Sequence, residues 1–364
     1  MRVLDRYVAL TFAKAFLGGI VVFTIAAIAL DFLTRVNEFG SGVSRAQEVG
    51  VGSSALGLVL RFYLAFLPYL WKQMLPFIAV AAATLTLSTL LRANEIFPVL
   101  AVGVSVRRLL LPLFLCALLI TAAQLAIQEL LIPSMSRDFV LLKRLFSGDR
   151  VSRIHELPHL RDGQGTVVRA GSYDFAARSL HDVYILRPWG PEGFETWMAK
   201  ELQGTPDGEA WIAPEPVLVQ PAGTGHARST LPAGSRIEFG VVPEEVEALV
   251  VKAGTEELSF AQLTRLVGKF PDRRALQVAR HRQISAPFAS WVLVLVCVPA
   301  ILATGRARFA GPAIAFFCAA TFYFGDIFCT SLGDRGELSP LLAAYLPLTF
   351  FLSLGLAGLA TARS

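Results

Sequence analysis

The chain has 364 residues, of which 54% are hydrophobic and only 17% charged, and it carries a net charge of +5. Soluble domains hold about 25% charged residues, so the composition excludes an ordinary soluble enzyme. Many of the basic residues flank apolar runs, where they orient membrane helices rather than bind nucleic acid.

The apolar runs come in two groups. A spanning helix needs about 20 mostly apolar residues to cross roughly 30 Å of hydrocarbon. Residues 15–30 lie uncharged between Lys14 and Asp31 and form a first span. Residues 73–91 follow Lys72, with the apolar stretch starting near Phe62, and residues 109–128 lie between Arg108 and Glu129. After the middle of the chain come residues 283–305, 309–325 and 338–362. The expected fold is therefore α-helical and membrane-embedded, with six transmembrane helices.

One set of span ends carries Arg2, Arg6, Lys14, Arg92, Arg107, Arg108, Arg306, Arg308 and Arg363, against Asp5 and Glu95. The other set carries mixed charge. The positive-inside rule places both termini and the 92–108 loop in the cytoplasm, and the middle segment outside.

That middle segment reads as β. Residues 166–170 and 181–186 alternate, and 194–202, 210–213 and 216–220 are further short strands, punctuated by Gly, Pro and Asp. Short strands at this spacing predict a sandwich, jelly roll or open barrel, inserted between helices 3 and 4. Residues 258–282 read as a helical linker broken at Pro271. The expected division is 1–132 for three spans, 133–257 for a periplasmic all-β domain, and 258–364 for the linker and three more spans.

Chemistry is sparse. No GxxxxGK[ST] phosphate loop occurs, so ATP hydrolysis is not expected of this chain. His155 and His159 are spaced i, i+4, but Pro158 between them argues against a helical metal pair. The four cysteines all lie in apolar runs and form no metal spacing. No cofactor or metal is expected.

Three places carry more information. The loop from Arg92 to Arg108 holds a short apolar segment with a charged start, suited to a partner's groove. A plain connector with basic anchors fits the same residues. The end of span one, Asp31-Phe32-Leu-Thr-Arg35-Val-Asn-Glu38, places charge at the interface, where Arg35 could meet phosphate. An ordinary helix end fits there too. Asp326 in span five is an intramembrane carboxylate, a candidate either for function or for pairing with a basic residue such as Arg35. Trp189, Trp197 and Trp211 read as core of the β domain.

These residues, in this order, resemble the lipopolysaccharide-export permeases of the LptF/LptG type. The resemblance rests on Leu4-Asp5-Arg6-Tyr7, on Pro68 and Pro76, and on Arg92-x-x-Glu95 followed by Gly103-Val-Ser. It continues in Pro287-Phe, Asp326 and Leu342-Ala-Ala-Tyr-Leu-Pro347. The N-terminal motif and Leu75-Pro76-Phe77 lean toward the LptG side.

The resemblance implies an inner-membrane permease subunit, not an enzyme, that pairs with a second homologous permease. It implies a cytoplasmic ABC ATPase dimer, a bitopic periplasmic bridge protein, and lipopolysaccharide as cargo. On the matching positions, the ATPase-coupling segment would comprise Arg92, Glu95, Ile96, Phe97, Leu100 and Gly103. Lipid-gate candidates are Asp31, Phe32, Arg35 and Asp326, with Arg280 and Arg282 above span four. Pro98 departs from the family's regular coupling helix, and at the outer end of span one, where members often carry lysines, Asp31 and Glu38 join Arg35. Rival readings are a secondary transporter, which needs polar groups in broken helices at mid-membrane, a lipid-modifying enzyme, and a membrane-anchored scaffold or sensor.

Overall fold

The computed structural model describes residues 2–48, 54–103, 105–147, 153–155, 160–161, 165–174, 177–189, 193–205, 210–221, 229–238, 242–246, 258–270, 273–304 and 310–361. His159, Arg306, Arg308 and Arg363 lie outside them, as do the side chains of Phe97, Leu100 and Trp189.

Six described helices are long and apolar enough to cross a membrane: Val3–Gly40, Ala55–Arg92, Val106–Ser136, Arg274–Leu302, Pro312–Arg335 and Pro340–Thr361. They bracket a β-sheet region, three before and three after. In chain order the helical elements are α1 (Arg2–Glu48), α2 (Ala55–Arg92), α3 (Ile96–Ala101) and α4 (Val106–Ala126). A π-helical turn, Ile127–Leu131, carries α4 into α5 (Ile132–Ser147). After the strands follow α6 (Pro243–Val246), α7 (Phe260–Lys269), α8 (Arg274–Ser285), a 3₁₀ turn (Ala286–Phe288), α9 (Ala289–Thr304), α10 (Ala310–Arg335) and α11 (Pro340–Thr361).

Some helices outrun any bilayer. The 47 residues of α1 are about 70 Å long at 1.5 Å per residue, more than twice the hydrocarbon thickness. By internal contacts the chain forms two units. Residues 1–36, 63–135 and 277–364 make the first, and residues 37–62 and 136–276 the second.

In the first unit, Ala79, Ala83, Leu87, Leu110, Leu113, Ala117, Leu293 and Cys297 are fully buried. Lipid is as apolar as these side chains, so the hydrophobic effect does not drive the helices together. Close packing of small residues does. Gly333 of α10 shows how close: a Cβ there would lie 2.5 Å from Cβ of Ala343 in α11 and 2.9 Å from Cγ2 of Val278 in α8.

In the second unit, nine described strands form one antiparallel sheet: β1 (Arg153–His155), β2 (Leu160–Arg161), β3 (Val167–Asp174), β4 (Ser179–Trp189), β5 (Gly193–Gly204), β6 (Trp211–Ala213), β7 (Val217–Pro221), β8 (Ser229–Leu231) and β9 (Ser235–Ile237). The central ladder is β3-β4-β5, with Val168↔Ile185 and Ile185↔Trp197 in register. β1 and β2 both pair with β3, β6 and β7 both pair with β5, β9 continues beyond β6, and β8 beyond β7.

The alternation expected at 166–170 and 181–186 is visible in burial. Val168, Ala170, Val183 and Ile185 are buried, while Arg169, Tyr184 and Leu186 are exposed. The pairing of β3 with β4 skips Asp182, whose φ of 53° is left-handed backbone inside a strand. The residue facing it across the register is Gly171, where a Cβ would stand 3.1 Å from that of Asp182. Trp211 is fully buried core. Trp197 is only half-buried; its Nε1 donates to Glu195 Oε2 at 3.1 Å and Arg187 lies over its ring.

The same unit holds an aromatic cluster in which Phe39, Phe62 and Phe146 meet edge to face at 4.8–5.6 Å. Phe139 stacks on Phe62. The expected linker resolves into α7 and α8, with Pro271 between them and outside the described residues. Ser259 and Gln262 close a capping box at the start of α7.

Candidate functional site

The candidate residues lie at three places within the first unit: around α3, at Asp31 and Arg35, and at Arg282 and Asp326. Helix α2 ends at Arg92, which is exposed. Asn94, at φ 55°, turns the chain, and the Glu95 amide bonds back to Leu90 O at 3.1 Å. α3 then starts at Ile96. Pro98 is its third residue, and first-turn amides have no intrahelical acceptor, so the missing N–H costs nothing there. The departure noted in the sequence is thus accommodated by the helix start. Gly103, at φ 85°, turns the chain out of α3 with a backbone that only glycine adopts freely. The carbonyl of Ser105 accepts the first bonds of α4 from Arg108 and Leu109.

Among its described side chains, Ile96 and Val99 anchor the short helix. Ile96 is 4% exposed and belongs to the transmembrane core, with Val99 packed beside it. Val102 stands 84% exposed, and Pro98 and Gly103 are exposed too. An apolar edge held out on a clamped turn can insert into another protein's groove. Glu95 is half-buried and accepts a hydrogen bond from Tyr7 Oη at 3.3 Å. This ties the start of α1 to the segment. Tyr7 was recognised in sequence only as part of a family motif; its contact 88 residues away left no local signal.

The other two places are ion pairs. Arg35 Nε contacts Asp31 Oδ1 at 2.9 Å one turn along α1, and Tyr63 Oη of α2 donates to Asp31 Oδ2 at 3.3 Å. Phe32 is 41% exposed. Arg282 Nη2 of α8 contacts Asp326 Oδ2 of α10 at 2.6 Å. Asp326 is 8% exposed, so this pair is largely withdrawn from water. Arg280 is half-buried. The structure thus brings Arg282 to Asp326. Arg35, the other partner considered for Asp326, lies with Asp31 instead.

The spans differ in how much their own chain covers them. None of the most apolar window of α1 is buried, and 28% of that of α10, against 67% for α2 and 72% for the α8–α9 span. Phe316, Phe317, Phe324 and Phe328 of α10 are all more than half exposed. An apolar cavity lies between α1, α2 and α4, with Phe16, Ile20, Trp71 and Leu75 among its lining. The arrangement offers apolar walls, charges paired within the helices and a short helix followed by an exposed Val102. Among the described residues no three His, Cys, Asp or Glu side chains are placed to hold a metal ion.

A family model described as "Lipopolysaccharide export system permease LptF/LptG" matches residues 6–361. No curated protein matches the chain.

Proposed function

This chain belongs to the LptF/LptG family of lipopolysaccharide export permeases, and from that premise we propose that it is the permease subunit of an ABC exporter. In this reading it extracts lipopolysaccharide from the inner membrane and passes it to a periplasmic bridge toward the outer membrane. The observation that carries the reading is the family match over nearly the whole chain, joined to a short helix held outward on its own turn at the end of α2.

The parts take roles as follows. Both termini and α3 face the cytoplasm, on the side rich in Arg6, Lys14, Arg92, Arg107 and Arg108. The sheet unit is periplasmic and jelly-roll-like. The domains run 1–132, 133–257 and 258–364. Arg92, Glu95, Ile96, Phe97, Leu100 and Gly103 form the surface that a separate ATPase dimer grips. The sparsely covered faces of α1 and α10 meet lipid acyl chains and the second permease, which makes a heterodimer. A bitopic periplasmic bridge protein completes the assembly.

Asp31, Phe32, Arg35, Asp326, Arg280 and Arg282 form the lipid gate. Arg35 and Arg282 already hold carboxylates, so Arg280 is the cation on this rim best placed for a lipid phosphate. The LptG side remains the preferred assignment within the family.

The test is purification of the full chain from native membranes in mild detergent. A soluble ATPase with a phosphate loop and a second six-span permease are expected to co-purify in stoichiometric amounts. A chain that purifies alone from membranes containing both would overturn the reading.

A further inference from the structure

Two buried glutamines, Gln124 of α4 and Gln128 of the π-helical turn that continues it, carry an inference that rests on the permease reading and goes beyond it. Gln124 and Gln128 are 3% and 1% exposed, in a span built mainly of Leu, Ile and Ala. Polar side chains this deep in an apolar helix bundle persist when they bond. Gln124 Nε2 donates to the backbone carbonyl of Lys72 in α2 at 3.1 Å. Gln128 Nε2 donates to the backbone carbonyl of Gln283 in α8 at 2.8 Å.

Both acceptors share a property readable in the sequence. Four residues after Lys72 stands Pro76, and four residues after Gln283 stands Pro287. Proline has no amide hydrogen, so neither carbonyl can receive its ordinary i+4 helical bond. In a membrane such carbonyls are satisfied from a neighbouring helix. Here one helix serves two of them, from side chains spaced i, i+4 at its junction with the π-helical turn. Ser290 Oγ of α9, itself fully buried, donates to Gln124 Oε1 at 2.5 Å and closes the arrangement. Proline sites and π turns are where helices bend.

The position of this joint matters. α4 starts directly after the α3 segment, and Gln124 lies 18 residues beyond Val106, about 27 Å along the helix. On the other side, Gln283 is the next residue after Arg282, which holds Asp326 of α10. A connected path therefore runs from α3 along α4, through Gln128 to α8, and through Arg282 to α10. We infer that Gln124 and Gln128 are positioning residues that join displacement of the α3 segment to the proline bends of α2 and α8–α9, and so to the gate.

The test separates satisfying a carbonyl from joining two helices. Gln128→Leu removes the donor; Pro287→Ala restores the i+4 amide to the Gln283 carbonyl. In purified full-length complex, Gln128→Leu is expected to lower Tm by several degrees, and Gln128→Leu/Pro287→Ala to recover it. Gln124→Leu with Pro76→Ala is expected to behave the same way. In proteoliposomes, lipid released per ATP hydrolysed is expected to fall at least about fivefold in Gln128→Leu and in the rescued double variant alike, with ATPase rate retained.

A double variant that regains both Tm and lipid release would overturn the joint, because satisfaction alone would then suffice. An unchanged Tm in Gln128→Leu would overturn it as well. A wild-type complex that hydrolyses ATP and releases no lipid would instead refute the permease reading, and the coupling role with it.

Discussion

Asp326→Ala is expected to destabilise the chain by about 3 kcal/mol, the lower end of what removing one partner of a buried ion pair costs. The lower end applies because the Arg282 side chain is 27% exposed and can recover part of its hydration, whereas that of Asp326 is 11% exposed. Alanine leaves the guanidinium 2.6 Å from where its counter-charge stood. Long basic side chains at a membrane edge reach toward lipid headgroups when unpaired. The variant is therefore expected to lose stability and gain affinity for anionic lipid together.

Replacing both partners by apolar residues, Arg282→Met with Asp326→Leu, is expected to recover most of the stability, since no charge is then stranded. Thermal unfolding in detergent checks the first outcome and the double-variant comparison the second. Asp326→Ala melting with the wild-type protein would show that the pair contributes nothing.

Glu95→Ala is the second large effect, and it falls on assembly rather than on folding. The carboxylate is half-buried at the mouth of α3 and accepts from Tyr7. If a partner's cation is the other group it serves, truncation removes one side of a charged hydrogen bond at an interface. That costs about 2–5 kcal/mol, or at least roughly a thirtyfold weaker Kd for the ATPase. Stability of the permease itself is expected to change little, because Ile96 and not Glu95 anchors the segment. Tyr7→Phe is expected to give a smaller loss in the same direction, by loosening the carboxylate. Equal ATPase retention on immobilised wild-type and Glu95→Ala chains would remove Glu95 from the contact.

The six spans were legible because hydropathy reports directly on what a bilayer solvates. Where the helices stop was not. α1 runs to Glu48 and α5 to Ser147, through residues too polar for lipid. Beyond the bilayer a helix keeps its backbone bonds without needing apolar neighbours on every side. In the sheet, β3 and β4 announced themselves by alternation, and β5, β6 and β7 as short runs punctuated by Gly, Pro and Asp. β1, β2, β8 and β9 have two or three residues each, too short to show a period of two.

Single candidate residues in the sequence were informative, but their partners were not. Asp326 is marked by a charge inside an apolar run; that its partner is Arg282, 44 residues away, is decided by the packing of α8 on α10. Gln124 and Gln128 went unmarked because the span was delimited by charge, between Arg108 and Glu129, and an amide carries none. The signal that could have found them is joint: two glutamines one turn apart in one span, and a proline four residues after a carbonyl in each of two others.

In the function proposed, this chain moves lipopolysaccharide with energy supplied by another subunit. The direct measurement places the purified chain, its permease partner and its ATPase in liposomes loaded with lipopolysaccharide, with a soluble lipid acceptor outside. Transfer to the acceptor is predicted to require ATP and to stop when the ATPase is omitted. Transfer that proceeds equally without ATP, or none in a complex that hydrolyses ATP, would contradict it.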